Sequence, residues 1–126
     1  MVKRNYIADM ENVLKGRRKS IELLNIILGF LNFKTAEIKI YNLLLKSSLT
    51  IKQIERQLNL SERTIRKYIK KLDQDGFIIR KVVQGKRLKY VYMAVPVQET
   101  WKKVKDKIQK VLDEITKVLE TKAVVF

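Results

Sequence analysis

The stretch from Thr50 to Asp75, TIKQIERQLNLSERTIRKYIKKLDQD, places the strongest constraint on what this chain can fold into. Its pattern predicts two short helices joined by a tight turn. Thr50 is the predicted N-cap of the first helix, and Gln53, at the third helical position, completes a capping box. Ser61 is the predicted N-cap of the second helix, which Gly76 ends as a left-handed cap.

Apolar residues recur at helical spacing on one side of both helices. The set predicted to face inward is Ile51, Ile54, Leu58, Leu60, Ile65, Ile69 and Leu72. Two amphipathic helices around a three-residue break are typical of a helix-turn-helix.

The outer face of the second helix, residues 62–75, carries cations, hydroxyls and one aromatic ring. The residues predicted to lie there are Arg63, Thr64, Arg66, Lys67, Tyr68, Lys70 and Lys71, with Ser61 at the helix start. A solvated helix surface is the alternative interpretation, but such surfaces usually mix charges of both signs. Here only Glu62 and Asp73 interrupt the positive charge before Asp75. A short basic helix after a tight turn suits the major groove of double-stranded DNA, so we predict that this helix reads it.

The net charge of +15 indicates a polyanionic partner. Residues 61–95 hold ten Lys or Arg and three acids, a net +7, whereas residues 1–20 hold six cations and two acids, a net +4. The chain has no Cys and no His, which excludes disulfides, ordinary zinc sites and His-based catalysis. We therefore predict no enzyme activity, no cofactor and no metal.

The apolar run from Ile21 to Leu31 raises the question of a membrane segment. It contains Glu22 and Asn25 and is about half the length that spans a bilayer. It also does not resemble a secretory signal, because the region before it is long and contains acids. We predict a buried helix, either separate from the polar helix before it or continuous with it through Gly16, and no membrane partner.

Thr35 is the predicted cap of a helix from Ala36 to Lys46, which would support the two helices of the motif. Residues 49–51 are β-prone enough to form one short strand pair. After Gly76 the pattern changes to the alternation of a β-hairpin, residues 77–95, with Gly85 permitting a positive φ at its turn.

The hairpin carries cations and no acid. The residues predicted to contact DNA are Lys81, Gly85, Lys86, Arg87 and Lys89. The alternative is that these lysines protect an exposed edge strand. Because the hairpin follows the predicted reading helix directly, contact with neighbouring backbone phosphates is the preferred interpretation, and the two elements together predict a winged helix.

Residues 96–126 predict one long helix with apolar residues at spacings of four and three. The residues of this heptad seam are Val97, Trp101, Val104, Ile108, Val111, Ile115 and Val118, of which all but Val97 are assigned to dimerisation. So long a stripe indicates pairing with a second copy, antiparallel or coiled-coil-like. Packing against Ile21–Leu31 within one chain is the alternative, and both contacts can occur together.

The fold class expected is mainly α with a β-hairpin wing. The predicted organisation is an N-terminal helix or pair of helices in residues 1–30, a winged helix-turn-helix in 31–95, and the dimerisation helix in 96–126.

These residues also resemble a known family. The matching positions are Leu31 to Tyr41, Leu43, Leu44, Thr50, Ile54, Leu58, Leu60, Ser61, Thr64, Ile69, Leu72 and Gly76 to Ile78. They resemble the winged-helix domain of archaeal TrmB-like regulators, and the short chain is similar to the Lrs14-like subgroup. MarR-like and ArsR-like proteins share much of the apolar pattern. The resemblance implies a cytoplasmic, nucleoid-associated homodimer that binds promoter DNA. It does not imply sugar sensing, because residues 1–126 contain no counterpart of the sugar-binding domain of larger relatives.

Three hypotheses therefore remain. The first is a dimeric, sequence-selective transcription regulator, and the second is an architectural protein that coats DNA with little sequence preference. The third is the nucleic-acid-binding module of an enzyme or RNA complex. The third is weakest because no nucleophile-base pair, metal set or Gly-rich phosphate loop appears.

Overall fold

The computed structural model describes residues 5–16 and 20–121. The elements in these residues are α1 (Tyr6–Gly16), α2 (Ser20–Phe30), α3 (Thr35–Lys46), α4 (Ile51–Leu58), α5 (Glu62–Gln74), β1 (Ile78–Val83), β2 (Lys89–Ala94) and α6 (Val97–Glu120). The predicted fold class is confirmed: helices predominate and one antiparallel hairpin follows α5. Of the cations counted in residues 1–20, those at positions 3, 4 and 17–19 lie outside the described residues.

Local hydrogen bonds fix where α4 and α5 begin. The Thr50 hydroxyl accepts from the Gln53 backbone N–H at 3.2 Å, and the Gln53 side chain accepts from the Thr50 N–H at 2.8 Å. The Ser61 hydroxyl accepts from the Thr64 N–H at 3.2 Å. Between the helices, Asn59 adopts the left-handed conformation with φ of 54°, which a short polar side chain tolerates. Both predicted N-caps are therefore confirmed.

The core lies where α3, α4 and α5 meet. The fully buried side chains there are Ile40, Tyr41 and Leu44 of α3, Ile54 of α4, and Ile65 and Leu72 of α5. Each large apolar side chain buried in this way stabilises the fold by about 1.5–3 kcal/mol relative to exposure. This packing holds α5 with its opposite face toward solvent.

Helix α3 begins one residue earlier than predicted. Thr35 is its first residue rather than its cap, and Lys34 occupies the cap position. The Glu37 carboxylate accepts from the Lys34 backbone N–H at 3.1 Å, so the third helical residue satisfies the amide of the cap residue.

The hairpin pairs Ile78 with Ala94 at its base and Val83 with Lys89 near its tip. Leu49 forms an isolated bridge with Tyr92 on the other side of β2, which confirms the expected short strand pair. The expectation for Gly85 is wrong, because Gly76 is the glycine of the described residues with a positive φ. The connection from 84 to 88 is five residues long, so it closes without the positive φ that a two-residue turn requires.

Helices α1 and α2 pack against each other as a helical hairpin. The ring of Tyr6, at the start of α1, lies 5.8 Å from the ring of Phe30, at the end of α2. One continuous helix would separate these residues by about 36 Å at 1.5 Å per residue. The continuous alternative is therefore wrong.

Helix α6 divides its apolar face between two environments. Thr100 and Val104 are buried in the core of the same chain, and Ile108 packs against that core. Beyond Ile108 the apolar side chains are exposed, with Val111 at 55% and Ile115 at 45%. The assignment of Val104 to a seam between copies is therefore corrected, because this side chain is already buried in its own chain. Ile108 is half-buried, so its assignment stays a prediction in which both contacts can occur together. Among the described residues, none of the helices combines the length and the apolar character that crossing a membrane requires.

Candidate nucleic-acid interface

Four cations of α5 project into solvent from the side opposite the core. They are Arg63, Arg66, Lys67 and Lys70. Their exposure follows from the burial of Ile65, Ile69 and Leu72, because a 3.6-residue period turns the intervening positions outward. At the start of the helix, the Ser61 hydroxyl donates to the Thr64 hydroxyl at 2.8 Å, so this pair rigidifies the first turn.

Arg66 is held in place by an acid of the same helix. Its Nε and Nη2 donate to one Glu62 carboxylate oxygen at 3.0 and 2.8 Å. Both side chains are more than half exposed, so this pair contributes little to stability. Its effect is on orientation: the guanidinium keeps its remaining N–H donors free and has fewer conformations to lose when it meets a ligand.

Tyr68 and Lys71 differ from the predicted arrangement. Tyr68 is half-buried and packs against the core, with the Lys67 ammonium 5.6 Å from its ring centre. Lys71 Nζ lies 3.2 Å from a carboxylate oxygen of the fully buried Glu37 and 5.0 Å from the ring centre of Phe33. Lys71 therefore joins α5 to α3, because its ammonium is already paired with the Glu37 carboxylate.

The wing cations lie on an exposed hairpin. Lys81, Lys86, Arg87 and Lys89 are all exposed, and burial does not alternate along β1, in which every residue after Ile78 is exposed. Arg80 adds a fifth cation, which the prediction missed. Its guanidinium carbon lies 4.4 Å from the ring centre of Tyr90, the residue diagonal to it across the hairpin, and this cation–π contact orients it.

A cleft of about 660 Å³ separates the wing from the two helices of the motif. We call it the cationic cleft, and its charged lining residues are Lys52 and Arg56 of α4, Glu62 and Arg66 of α5, and Arg87 and Lys89 of the wing. Five of these six are cations. The cleft thus brings together Arg66 of α5 with Arg87 and Lys89 of the wing, whereas the other predicted residues of these two elements do not line it.

Sequence reasoning missed the contribution of α4 to the cationic cleft. Lys52, Gln53 and Arg56 line it, together with the capping residue Thr50. The spacing of Lys52 and Arg56 by four residues, opposite Ile51 and Ile54, was a usable signal for an outward face.

A second, apolar groove of about 420 Å³ lies on the other side of the molecule. Its aromatic lining comes from Phe30, Phe33 and Phe77, and Val111 and Ile115 of α6 extend it. Lys103 and Lys107 border it. The exposed half of α6 is therefore continuous with an apolar surface formed by other elements.

The described residues contain no group of three or more acids that could hold a metal ion. The group with a shifted pKa is Tyr41, whose burial raises the pKa of its hydroxyl while a hydrogen bond from Thr100 lowers it in part. Tyr41 lies in the core and not in the cationic cleft. The geometry therefore offers a cationic surface that suits an anionic ligand.

Comparisons with known proteins agree with this geometry. A family model described as "Sugar-specific transcriptional regulator TrmB" matches residues 28–98. A solved structure described as a possible transcriptional regulator from Methanosarcina mazei Go1 has a TM-score of 0.68 at 16% identity, covering 79% of this chain and 87% of that chain. No curated protein matches the sequence.

Two further solved structures have lower TM-scores. The transcriptional regulator BldR from Sulfolobus solfataricus has a TM-score of 0.49 at 16% identity, with 92% of this chain and 85% of that chain covered. A MarR family regulator from Neisseria meningitidis has a TM-score of 0.48 at 14% identity, with 92% and 81% covered. Of the three structures, the first alone bears on the fold. The family match spans more than half of the chain and includes α3, the helix-turn-helix and the wing, so the chain belongs to the TrmB family and is a transcriptional regulator of the winged-helix type.

Proposed function

We propose that this protein regulates transcription as a homodimer that binds double-stranded DNA, with α5 in the major groove and the wing on the flanking backbone. The observation that carries the proposal is the cationic cleft, in which α4, α5 and the wing present five cations and one acid on a single concave surface. Such a surface suits a polyanion whose charge is spaced along a curved backbone.

The dimensions of α5 support its placement in the groove. An α-helix with its side chains is about 10–12 Å in diameter and the major groove is about 12 Å wide, so α5 fits within the groove, and its 13 residues extend over about 20 Å. Arg63, in the first turn, is placed where such helices contact base edges. The cations of α4 and the wing then lie on either side, where contacts with phosphates fix the register.

The test is a specificity ratio measured at fixed salt. Binding sites are selected from a random duplex library, and affinity for the selected site is compared with affinity for a scrambled duplex. Arg63→Ala should weaken binding to the selected site by about 1–3 kcal/mol and change binding to the scrambled duplex much less, because a guanidinium that contacts a guanine edge discriminates between bases. Lys70→Ala is the matched control, since removal of a phosphate contact should weaken both complexes equally.

The second candidate function is architectural coating of DNA. Lys supplies 20 of the 28 cations, and a Lys ammonium suits phosphate contacts that give affinity without sequence preference. In that case the library yields no consensus, and Arg63→Ala weakens both complexes alike.

The exposed half of α6 supports the dimer. Val111, Leu112, Ile115, Val118 and Leu119 are all at least 45% exposed and line one stripe that joins the apolar groove. A contiguous apolar surface of this kind is typical of a protein interface. The proposed occupant is the same stripe of a second copy.

Substitution of two residues of this exposed stripe tests the dimer. Ile115→Glu with Leu119→Glu should give a folded monomer, because neither side chain is part of the core of its own chain. Gln109→Glu with Thr116→Glu adds the same charge to the same helix off the stripe and should stay dimeric. Sedimentation decides between the outcomes, and a dimer that survives the first pair places the interface elsewhere.

A further inference from the structure

Helix α6 is attached to the winged helix-turn-helix by two polar contacts, which together we call the joint. The first is buried. The Tyr41 hydroxyl donates to the Val95 carbonyl oxygen at 3.1 Å and lies 2.8 Å from the Thr100 hydroxyl. Since the Tyr41 proton is used on Val95, the Thr100 hydroxyl is the donor to Tyr41. Both side chains are fully buried, and both hydroxyl protons are satisfied.

The second contact of the joint lies at the end of α5. Lys103 Nζ donates to the Gly76 carbonyl oxygen at 2.5 Å. Gly76 has φ of 77°, and a Cβ placed on it would lie 2.6 Å from Lys103 Nζ. Because Gly76 has no side chain, its backbone can adopt a positive φ and the Lys103 ammonium can approach its carbonyl oxygen. The ammonium also lies near the negative end of the α5 dipole.

These two contacts fix the first turns of α6, so a small rotation there produces a large displacement at the far end of the helix. Thr100 and Lys103 are in the first two turns of α6, a helix of 24 residues. Ile115 lies about 22 Å beyond Thr100 at 1.5 Å per residue. A rotation of about 10° at the joint would move Ile115 by about 4 Å, which is close to the separation of successive base pairs, about 3.4 Å. Such a rotation at the joint would therefore change the separation of two paired copies by about one base pair.

Polar contacts fix the angle between two helices more strictly than apolar contacts do. Apolar side chains tolerate sliding and repacking, since dispersion contacts have little directional preference. Buried hydroxyl pairs are directional, and misalignment leaves a polar group without a partner at a substantial cost. The joint therefore selects one angle, whereas the surrounding contacts of Val104 and Ile108 supply stability.

We propose that Tyr41, Thr100 and Lys103 are positioning residues that fix the angle between α6 and α5, and thereby set the spacing of the two DNA half-sites that the dimer accepts. This inference rests on the proposed function, because it requires pairing through α6 and reading by α5. It goes beyond that function by assigning spacing specificity to residues outside both the predicted DNA-contacting set and the exposed stripe of α6.

The experiment selects duplexes from a random library with the full-length wild type and with each variant, and records half-site sequence and spacing separately. The wild type should select one dominant spacing. Tyr41→Phe and Thr100→Val should select the same half-site sequence but lose about fivefold or more of the discrimination against spacings one base pair shorter or longer, the size expected when one hydrogen bond is removed. Thr100→Ser keeps the hydroxyl and should keep the wild-type spacing.

Lys103→Met tests the second contact at an exposed position, where misfolding is not a concern. It should broaden the spacing, whereas Lys107→Met, one turn along α6 and equally exposed, should not. Ile54→Val is a control for reduced stability, because Ile54 is fully buried in α4 away from the joint. It should retain the wild-type spacing.

Sedimentation of each variant distinguishes failure of the inference from failure of the proposed function. Joint variants that stay dimeric and keep the wild-type spacing distribution overturn the inference and leave the proposed function intact. A wild type that selects unpaired half-sites overturns the proposed dimeric function, and the inference with it.

Discussion

Two adjacent lysines of α5, Lys70 and Lys71, should respond in opposite ways to the same substitution. Lys70 is exposed, and we assign it to a phosphate contact. Lys71 reaches the fully buried Glu37, with 3.2 Å between Nζ and Oε1, and its ammonium lies 5.0 Å from the ring centre of Phe33. Replacement of either residue by Met keeps the apolar stem and removes one positive charge. We therefore expect Lys70→Met to affect DNA binding and Lys71→Met to affect stability.

The geometry around Glu37 sets the size of the stability loss. Breaking a fully buried ion pair by removal of one partner costs about 3–5 kcal/mol. Lys71 is about half exposed, so water screens part of the attraction, and Oε1 keeps its hydrogen bond from the Lys34 N–H. Oε2 is buried and has no partner among the described residues. We therefore expect Lys71→Met to lower the free energy of unfolding by about 1–3 kcal/mol.

Urea denaturation and DNA titration over a range of salt concentrations measure the two effects on the same samples. Lys71→Met should lower the urea midpoint without a change in slope m, and should leave the salt dependence of DNA affinity close to that of the wild type. Lys70→Met should leave the free energy of unfolding within about 0.5 kcal/mol and reduce the salt slope by about 0.9. Glu37→Leu combined with Lys71→Met should recover part of the stability, since no buried charge is then left unpaired.

An unfolding free energy that does not change in Lys71→Met would refute this reasoning. So would a salt slope that falls equally in Lys70→Met and Lys71→Met, because Lys71 would then contact phosphate as the sequence pattern predicted. The double variant distinguishes the loss of the ion pair with Glu37 from the loss of the cation–π contact with Phe33. If the cation–π contact dominates, the double variant is no more stable than Lys71→Met alone.

Three further predictions follow from the hairpin, the core and the end of α5. Lys86→Ala with Arg87→Ala should reduce the slope of log affinity against log salt by about 0.9 for each phosphate that is no longer neutralised, and an unchanged slope would show that the wing tip does not touch DNA. Burial raises the pKa of Tyr41, so the folded state keeps its proton when the unfolded state loses it, and the free energy of unfolding should fall with rising pH above about 10. This fall should be smaller in Tyr41→Phe, and identical alkaline profiles in urea denaturation would contradict it. Gly76→Ala should destabilise the protein by about 1–2 kcal/mol because φ is 77°, and the new Cβ should also displace the flexible Lys103 ammonium; an unchanged urea midpoint would count against the backbone strain.

The features predicted well from the sequence are those that depend on neighbours within a few residues. The capping box of Thr50 and Gln53 and the cap at Ser61 involve residues three apart, so pattern alone locates them. The hairpin follows for the same reason, since alternation fixes which side chains share a face. Even so, the length of its connection mattered, and the prediction for Gly85 assumed a tighter turn than the five-residue connection requires.

The features that the sequence did not predict depend on how helices cross. Lys70 and Lys71 are alike in sequence, and only the packing of α3 against α5 brings Glu37 under one of them. Val104 and Ile108 fit the heptad as well as Ile115 does, but the first half of α6 lies against the body of its own chain. Periodicity identifies an apolar face but does not show whether the same chain or a second copy covers it.

The division of α6 into a buried half and an exposed half has a mechanical consequence. Its first two turns are fixed to α3 and α5 by the joint, and its last three turns carry an apolar stripe that the core of the same chain does not need. In the proposed dimer, folding of the winged helix-turn-helix and pairing of two copies would use different residues of one helix, so either process could be altered by substitution without the other. Because a helix is stiff over this length, any displacement that pairing imposes on the exposed half of α6 would also move the residues of the joint. The joint is connected through Gly76 to the end of α5, so the geometry of pairing and the orientation of the cationic face should be coupled even though more than one turn of α6 separates the residues responsible.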